Sequence, residues 1–263
     1  FGSSFIVLPR DVYVFALIFF ASAMADARPA MEVVPHSDFV VQGISITTAV
    51  AMAIGVLVTG LGGTGSGNVF SYHIAFMSLA WVGCGFCGFW SYLSPEGTGT
   101  GAKEDRRQRH MMCMLGATAL SVLGYIAIFK AHSDNGEGHL GGLQLGGDGA
   151  AVKRSWARFI HVVLGYLVLT GCAVQAVMGM SKKKVLEATG EKTVTWHGQL
   201  GRVVLQVALV AVLFGIWIQW NAKGGWALWA KILFSAVVAG ALILLQLPST
   251  PAPMLIPVKT TGV

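Results

Sequence analysis

The apolar positions of this chain neither alternate nor recur as a narrow helical stripe; they run on without a break. Six such runs, at 39–62, 70–93, 109–130, 157–180, 196–220 and 226–247, are separated by polar or glycine-rich segments. An α-helix rises about 1.5 Å per residue, so about 20 residues cross a hydrocarbon layer about 30 Å thick, and each run is long enough. Their Val, Ile and Phe content would also suit strands, but a barrel strand needs only about 10 residues of alternating character. The pattern predicts an all-α membrane protein built as a six-helix transmembrane bundle.

An earlier stretch, Val12 to Ala25, is apolar for only about 14 residues, short of a comfortable span. Arg10 precedes it and the small-residue run Ala21 to Ala27 follows, which is the profile of a secretory signal. We read it as a retained N-terminal hydrophobic segment, either a short seventh span or an interfacial helix. The expected organisation is a hydrophobic segment and linker at 1–38, a transmembrane domain at 39–247 and a C-terminal tail at 248–263.

Composition excludes an ordinary soluble domain: 54% of the 263 residues are hydrophobic, 11% are charged and the mean hydropathy is +0.67. The expected partners are membrane lipid and small molecules, with no nucleic acid; a homodimer or a larger membrane complex is compatible. The net charge of +6 is unevenly placed. The connections after the second and fourth runs carry Lys103, Arg106, Arg107, Arg109, Lys182, Lys183, Lys184 and Lys192, all on one side because two spans separate them. The other side has the turn Gly62 to Asn68 with no basic residue, the glycine-rich loop Ala131 to Ala151, and a few cations such as Lys153, Arg154 and Lys223. The positive-inside rule puts the basic side, with the C-terminal tail, in the cytosol or its equivalent. An endomembrane or plasma membrane is expected, and an organelle membrane would fit a removed transit peptide.

The second to fifth runs each carry one histidine near their start: His73, His110, His161 and His197. Successive spans run in opposite directions, so His73 and His161 share a depth near the neutral face. His110 and His197 share one near the basic face, about 20 Å away. One imidazole on each of two facing helices, above and below a flat macrocycle, is the arrangement that bis-histidine haem ligation requires. No C-x-x-C-H motif is present for covalent attachment, so the expected cofactors are two b haems with these four histidines on the iron.

The flanking residues fit. His161 and His197 both open an H-x-x-L-G sequence, and a glycine four residues on shares the histidine's face, leaving space for a porphyrin edge or a close helix. Arg202, five residues past His197, is costly in lipid and should point inward at a propionate or another anion; Arg158, one turn before His161, could serve the other haem. A lone intramembrane histidine is also a common packing residue or proton relay, but no carboxylate partner lies deep in these four runs. His36, His132 and His139 fall in connecting segments, where a solvated side chain is the simple reading; the alternative is that His132 and His139 flank a substrate site at the neutral face.

Cys84, Cys87, Cys113 and Cys172 lie within apolar runs, and the C-x-x-C formed by the first two has no second pair of ligands, so they read as small hydrophobes rather than a zinc site. Gly60 to Gly67 lacks a Gly-Lys-Ser/Thr ending and reads as a loop, not a nucleotide site. Lys182 to Lys184 reads as an anchor near anionic head groups.

These residues together resemble the cytochrome b561 family, in particular its ferric-reductase-like and DOMON-linked branch. The resemblance covers 39–247 and rests on His73-Ile-Ala-Phe-Met-Ser-Leu-Ala-Trp, the basic run into His110, His161-Val-Val-Leu-Gly and His197-Gly-Gln-Leu-Gly-Arg. Each motif is short; their order and spacing make them specific. The resemblance implies a six-helix bundle whose four central helices hold two b haems, one between His73 and His161 and the other between His110 and His197. It also implies electron transfer from ascorbate or a similar donor on the cytosolic side to monodehydroascorbate or a ferric chelate opposite. Lys103, Arg106, Arg107 and Arg109 would then attract the anionic donor, although a solvated basic loop obeying the positive-inside rule explains them equally. The chain departs from the family in lacking a DOMON domain, in an arginine-rich approach to His110, and in its hydrophobic N-terminus; these bear on donor and acceptor more than on haem. An alternative from another class is a structural or assembly subunit of a larger membrane complex with auxiliary or lost haems.

Overall fold

The structure, a computed structural model, describes residues 36–61, 67–93, 100–134, 156–191, 193–218 and 228–245. The N-terminal segment 1–35, His139, Lys192 and the tail lie outside these. All regular structure among the described residues is helical. In chain order the helices are α1 (His36–Leu61), α2 (Gly67–Met77), a π-helical stretch (Ser78–Gly85), α3 (Phe86–Leu93), α4 (Thr100–Asp134), α5 (Trp156–Thr189), α6 (His197–Ile218) and α7 (Leu228–Leu244).

The helix α2, the π-stretch and α3 form one continuous rod, so the elements correspond to the six predicted runs with one difference. Among the described residues five helices are long and apolar enough to cross a membrane, whereas α7 spans 17 residues of the predicted 226–247. The protein is therefore a multi-pass integral membrane protein.

Side-chain placement follows the lipid setting. Leu167, Val177, Met180 and Ile243 are each more than half exposed, as side chains solvated by acyl tails can be. The interior is lined with Ala and Gly alongside Met52, Trp81, Phe86 and Leu209. Because lipid tails are as apolar as leucine, close packing must supply the attraction between helices, and small residues permit it. A Cβ at Gly171 on α5 would lie 2.6 Å from Val204 on α6, and one at Gly88 on α3 would lie 2.8 Å from the Cβ of Cys113 on α4.

These contacts knit two helical hairpins. The α2–α3 rod packs along α4, and α5 packs along α6. The helix α1 covers the α2–α3 rod and α7 covers α6, while α4 and α5 touch over a short length only. The second hairpin turns tightly: α5 ends on Gly190 in the left-handed region (φ 73°), whose N–H donates to the Leu186 carbonyl, as a glycine C-cap does. Val194 (φ 51°) follows, a costly conformation for a β-branched residue, and its carbonyl accepts from the N–H of His197 at the start of α6.

Candidate functional site

The two hairpins carry their histidines to two meeting points. His73 on α2 and His161 on α5 face each other with ring centroids 6.2 Å apart and planes at 85°. His110 on α4 and His197 on α6 do the same at 6.4 Å and 83°. A metal–imidazole bond is about 2 Å and the ring centre lies about 1.2 Å beyond the nitrogen, so two imidazoles on opposite sides of one metal ion have centroids about 6.3 Å apart. Two imidazoles bound to one metal ion can take any angle between their planes. Both pairs fit a bis-histidine haem.

The donor set fits as well. The Nδ1–H of His73 donates to the Gly124 carbonyl on α4, that of His110 to the Gly88 carbonyl on α3, and that of His161 to the Ala211 carbonyl on α6, each at 2.9 Å. A carbonyl only accepts, so these bonds place the proton on Nδ1 and leave Nε2 with a free lone pair, the tautomer a metal ligand needs. His197 is held differently. Gln175 Nε2 on α5 donates to its carbonyl at 3.1 Å and Gly179 abuts its ring, while its own buried Nδ1 has no hydrogen-bond partner among the described residues.

Around the first pair lies a cavity of ≈ 400 Å³, within the range of small-molecule and cofactor pockets. Gly165, the H-x-x-L-G glycine of α5, lines it, and a Cβ there would meet nothing within 4 Å. The space a porphyrin edge would need is therefore present beside this pair. The corresponding Gly201 on α6 is instead covered by Gln175, which would lie 3.5 Å from its Cβ. Arg158 and His132 line the cavity on its neutral-face side, with Phe129, Tyr125 and Tyr166 beside them. The rings of Tyr125 and Tyr166 stand edge to face, 6.0 Å apart, bridging α4 and α5 where those helices otherwise barely touch.

At the other level Arg202 points inward, as its cost in lipid requires, but its guanidinium lies 5.5 Å from the ring centre of Phe89 on α3. Tyr92 packs edge-on against His110 at 4.8 Å. The basic residues before His110 do not form one patch: Arg106 is buried, Arg107 pairs with Glu104 at 3.0 Å and Arg109 is exposed. Lys103 lies in the first turn of α4. Arg107 and Lys183 share a pocket of ≈ 230 Å³ with Glu104, Gln108 and Met111. Cys84, Cys87 and Cys172 are buried free thiols, and Cys113 is partly buried.

Sequence reasoning reached the histidines but not what holds them. The anchoring groups are mostly backbone carbonyls, which residue identity does not reveal. Spacing carries a trace of them. Fourteen residues separate His110 from Gly124, His161 from Gln175 and His197 from Ala211, while fifteen separate His73 from Gly88. Four turns of α-helix take about 14 residues, and the leg with the extra residue is the one containing the π-stretch. No family model, curated protein or solved structure matches the chain significantly.

Proposed function

We propose that this protein passes single electrons across its membrane through two b haems in the manner of the cytochrome b561 family, with six spans and the haems among the four central ones. His73 with His161 would hold the haem near the neutral face, and His110 with His197 the one near the basic face. The observation that carries this reading is the pair of histidine separations, 6.2 and 6.4 Å, both matching two imidazoles on one iron. Bound there, haem supplies reversible one-electron chemistry at iron.

The chain's own residues do the rest. Donation from Nδ1–H to the carbonyls of Gly124, Gly88 and Ala211 orients each ring and makes it a stronger electron donor. The apolar walls around Trp81, Leu205 and Leu209 exclude water from the path between the levels. Arg158 and His132, at the neutral side of the upper cavity, suit propionates or an incoming anionic acceptor, such as monodehydroascorbate or a ferric chelate. Arg107 and Lys183 suit an anionic donor such as ascorbate at the basic side, which the positive-inside rule assigns to the cytosol.

A reduced-minus-oxidised spectrum with a pyridine haemochrome count tests the proposal. Two b haems per chain, reducible by ascorbate, are expected. A folded, haem-free protein expressed with haem supply would overturn the reading in favour of a structural subunit.

A further inference from the structure

The extra residue in the His73–Gly88 leg coincides with a change of helix type. The stretch Ser78–Gly85 is π-helical, and every residue in it but Leu79 is buried. π-Helical turns inside α-helices are uncommon and often mark functional positions. The side chain of Ser45 on α1 donates to the Val82 carbonyl within this stretch, giving a backbone group of the irregular turn a partner.

The irregular stretch presents Trp81. This residue is 5% exposed and lines the cavity that His73 and His161 flank. Following each helix inward from the neutral face, the deepest residues of that cavity are Met52, Trp81, Ser121, Leu169 and Ala208. Trp81 is the one aromatic side chain among them; Phe70, Tyr125, Phe129 and Tyr166 all lie nearer the neutral face. On the side toward the basic level the indole meets Gly85, four residues on. A Cβ at Gly85 would come within 3.0 Å of Trp81 Cε3 and 3.4 Å of Leu205 on α6, so the indole depends on a glycine beneath it. Gly85 lies less than one turn before Gly88, whose carbonyl holds His110.

From this placement we infer that Trp81 is the bridge between the two histidine levels, forming the floor of the upper haem site and the contact across which the electron passes. The inference rests on the two-haem reading. His110 and His197 would hold the donor haem and His73 and His161 the acceptor haem, and the two would supply a balanced one-electron exchange, ferrous to ferric. The indole is neither oxidised nor reduced, no bond in it changes and no proton moves. Its part is to fill the gap with a rigid, polarisable ring where a smaller side chain would leave a void or admit water.

The test uses the full chain, haem-loaded, in vesicles with a membrane-impermeant reductant confined to the basic face, comparing wild type with Trp81→Leu and Trp81→Phe. Haem content and the two absorption bands are recorded alongside the kinetics. Wild type should reduce in two phases, the near haem first. In Trp81→Leu the second phase should slow several-fold with the first unchanged, and the band of the His73/His161 haem should shift because its floor has changed. Trp81→Phe, which keeps a ring, should fall between. If Trp81→Leu loses the upper haem, the floor contact is supported and the second phase of Trp81→Phe decides the bridge. Wild-type second phases and unshifted bands in variants holding both haems would overturn the inference. A wild type with fewer than two haems would instead overturn the function on which it rests.

Discussion

The four histidines share a residue type and differ in how they are held. Three donate Nδ1–H to a carbonyl of the helix packed beside their own, and the fourth is fixed through its backbone by Gln175. A ligand removed from either member of a pair should cost one haem and leave the other. His73→Ala and His161→Ala should each lower the pyridine haemochrome count from two to one and lose the same absorption band. His110→Ala and His197→Ala should lose the other band. If His73→Ala and His161→Ala removed different bands, the pairing would be wrong. The histidines were legible in the sequence because one polar, metal-binding side chain per apolar span is conspicuous against lipid. Their carbonyl partners were not, since any residue supplies a carbonyl and only packing selects Gly124, Gly88 and Ala211.

At the scale of helices, glycine sets how closely the elements approach. Gly88 and Gly171 sit where a methyl group would enter the opposite helix, at 2.8 Å from Cys113 Cβ and 2.6 Å from Val204 Cγ2 respectively. Overpacking of this kind costs about 1–3 kcal/mol. Gly171→Ala should therefore lower the thermal unfolding temperature in detergent, because Val204 is β-branched and rotates little. Gly88→Ala should also disturb one haem selectively, since its carbonyl anchors His110: the basic-side band should shift or lose intensity while the His73/His161 band stays. Equal effects on both bands would show that Gly88 acts through general packing alone. Six apolar runs were readable as helices because run length against bilayer thickness is a strong constraint. The π-stretch was not, as nothing in Ser78–Gly85 departs from an ordinary apolar helix; only the unequal spacing of the two hairpins hints at it.

For the whole molecule, charge distinguishes the two faces. The basic connections flank the His110/His197 level, and Arg107 and Lys183, from different helices, come together there. Replacing both with glutamine should raise KM for ascorbate several-fold at low ionic strength, with little change in kcat. The difference should shrink toward physiological salt, where the Debye length falls to about 8 Å. A KM unaffected at low salt would place the donor elsewhere on that face.

The sequence alone determined that this chain lives in a membrane, that it crosses as helices, and that its four intramembrane histidines fall at two depths. Those properties follow from run length, hydropathy and the alternation of successive spans, which need no knowledge of packing. Tertiary structure alone decided that the histidines meet at 6.2 and 6.4 Å and that carbonyls of neighbouring helices hold three of them. It also decided that Arg202 rests over Phe89 and that Trp81 lines the cavity beside His73 and His161. Such facts depend on the rotation of each helix about its axis, which is set by interlocking small and large side chains across helix interfaces. In lipid, hydrophobicity drives helices into the membrane but does not orient one against another.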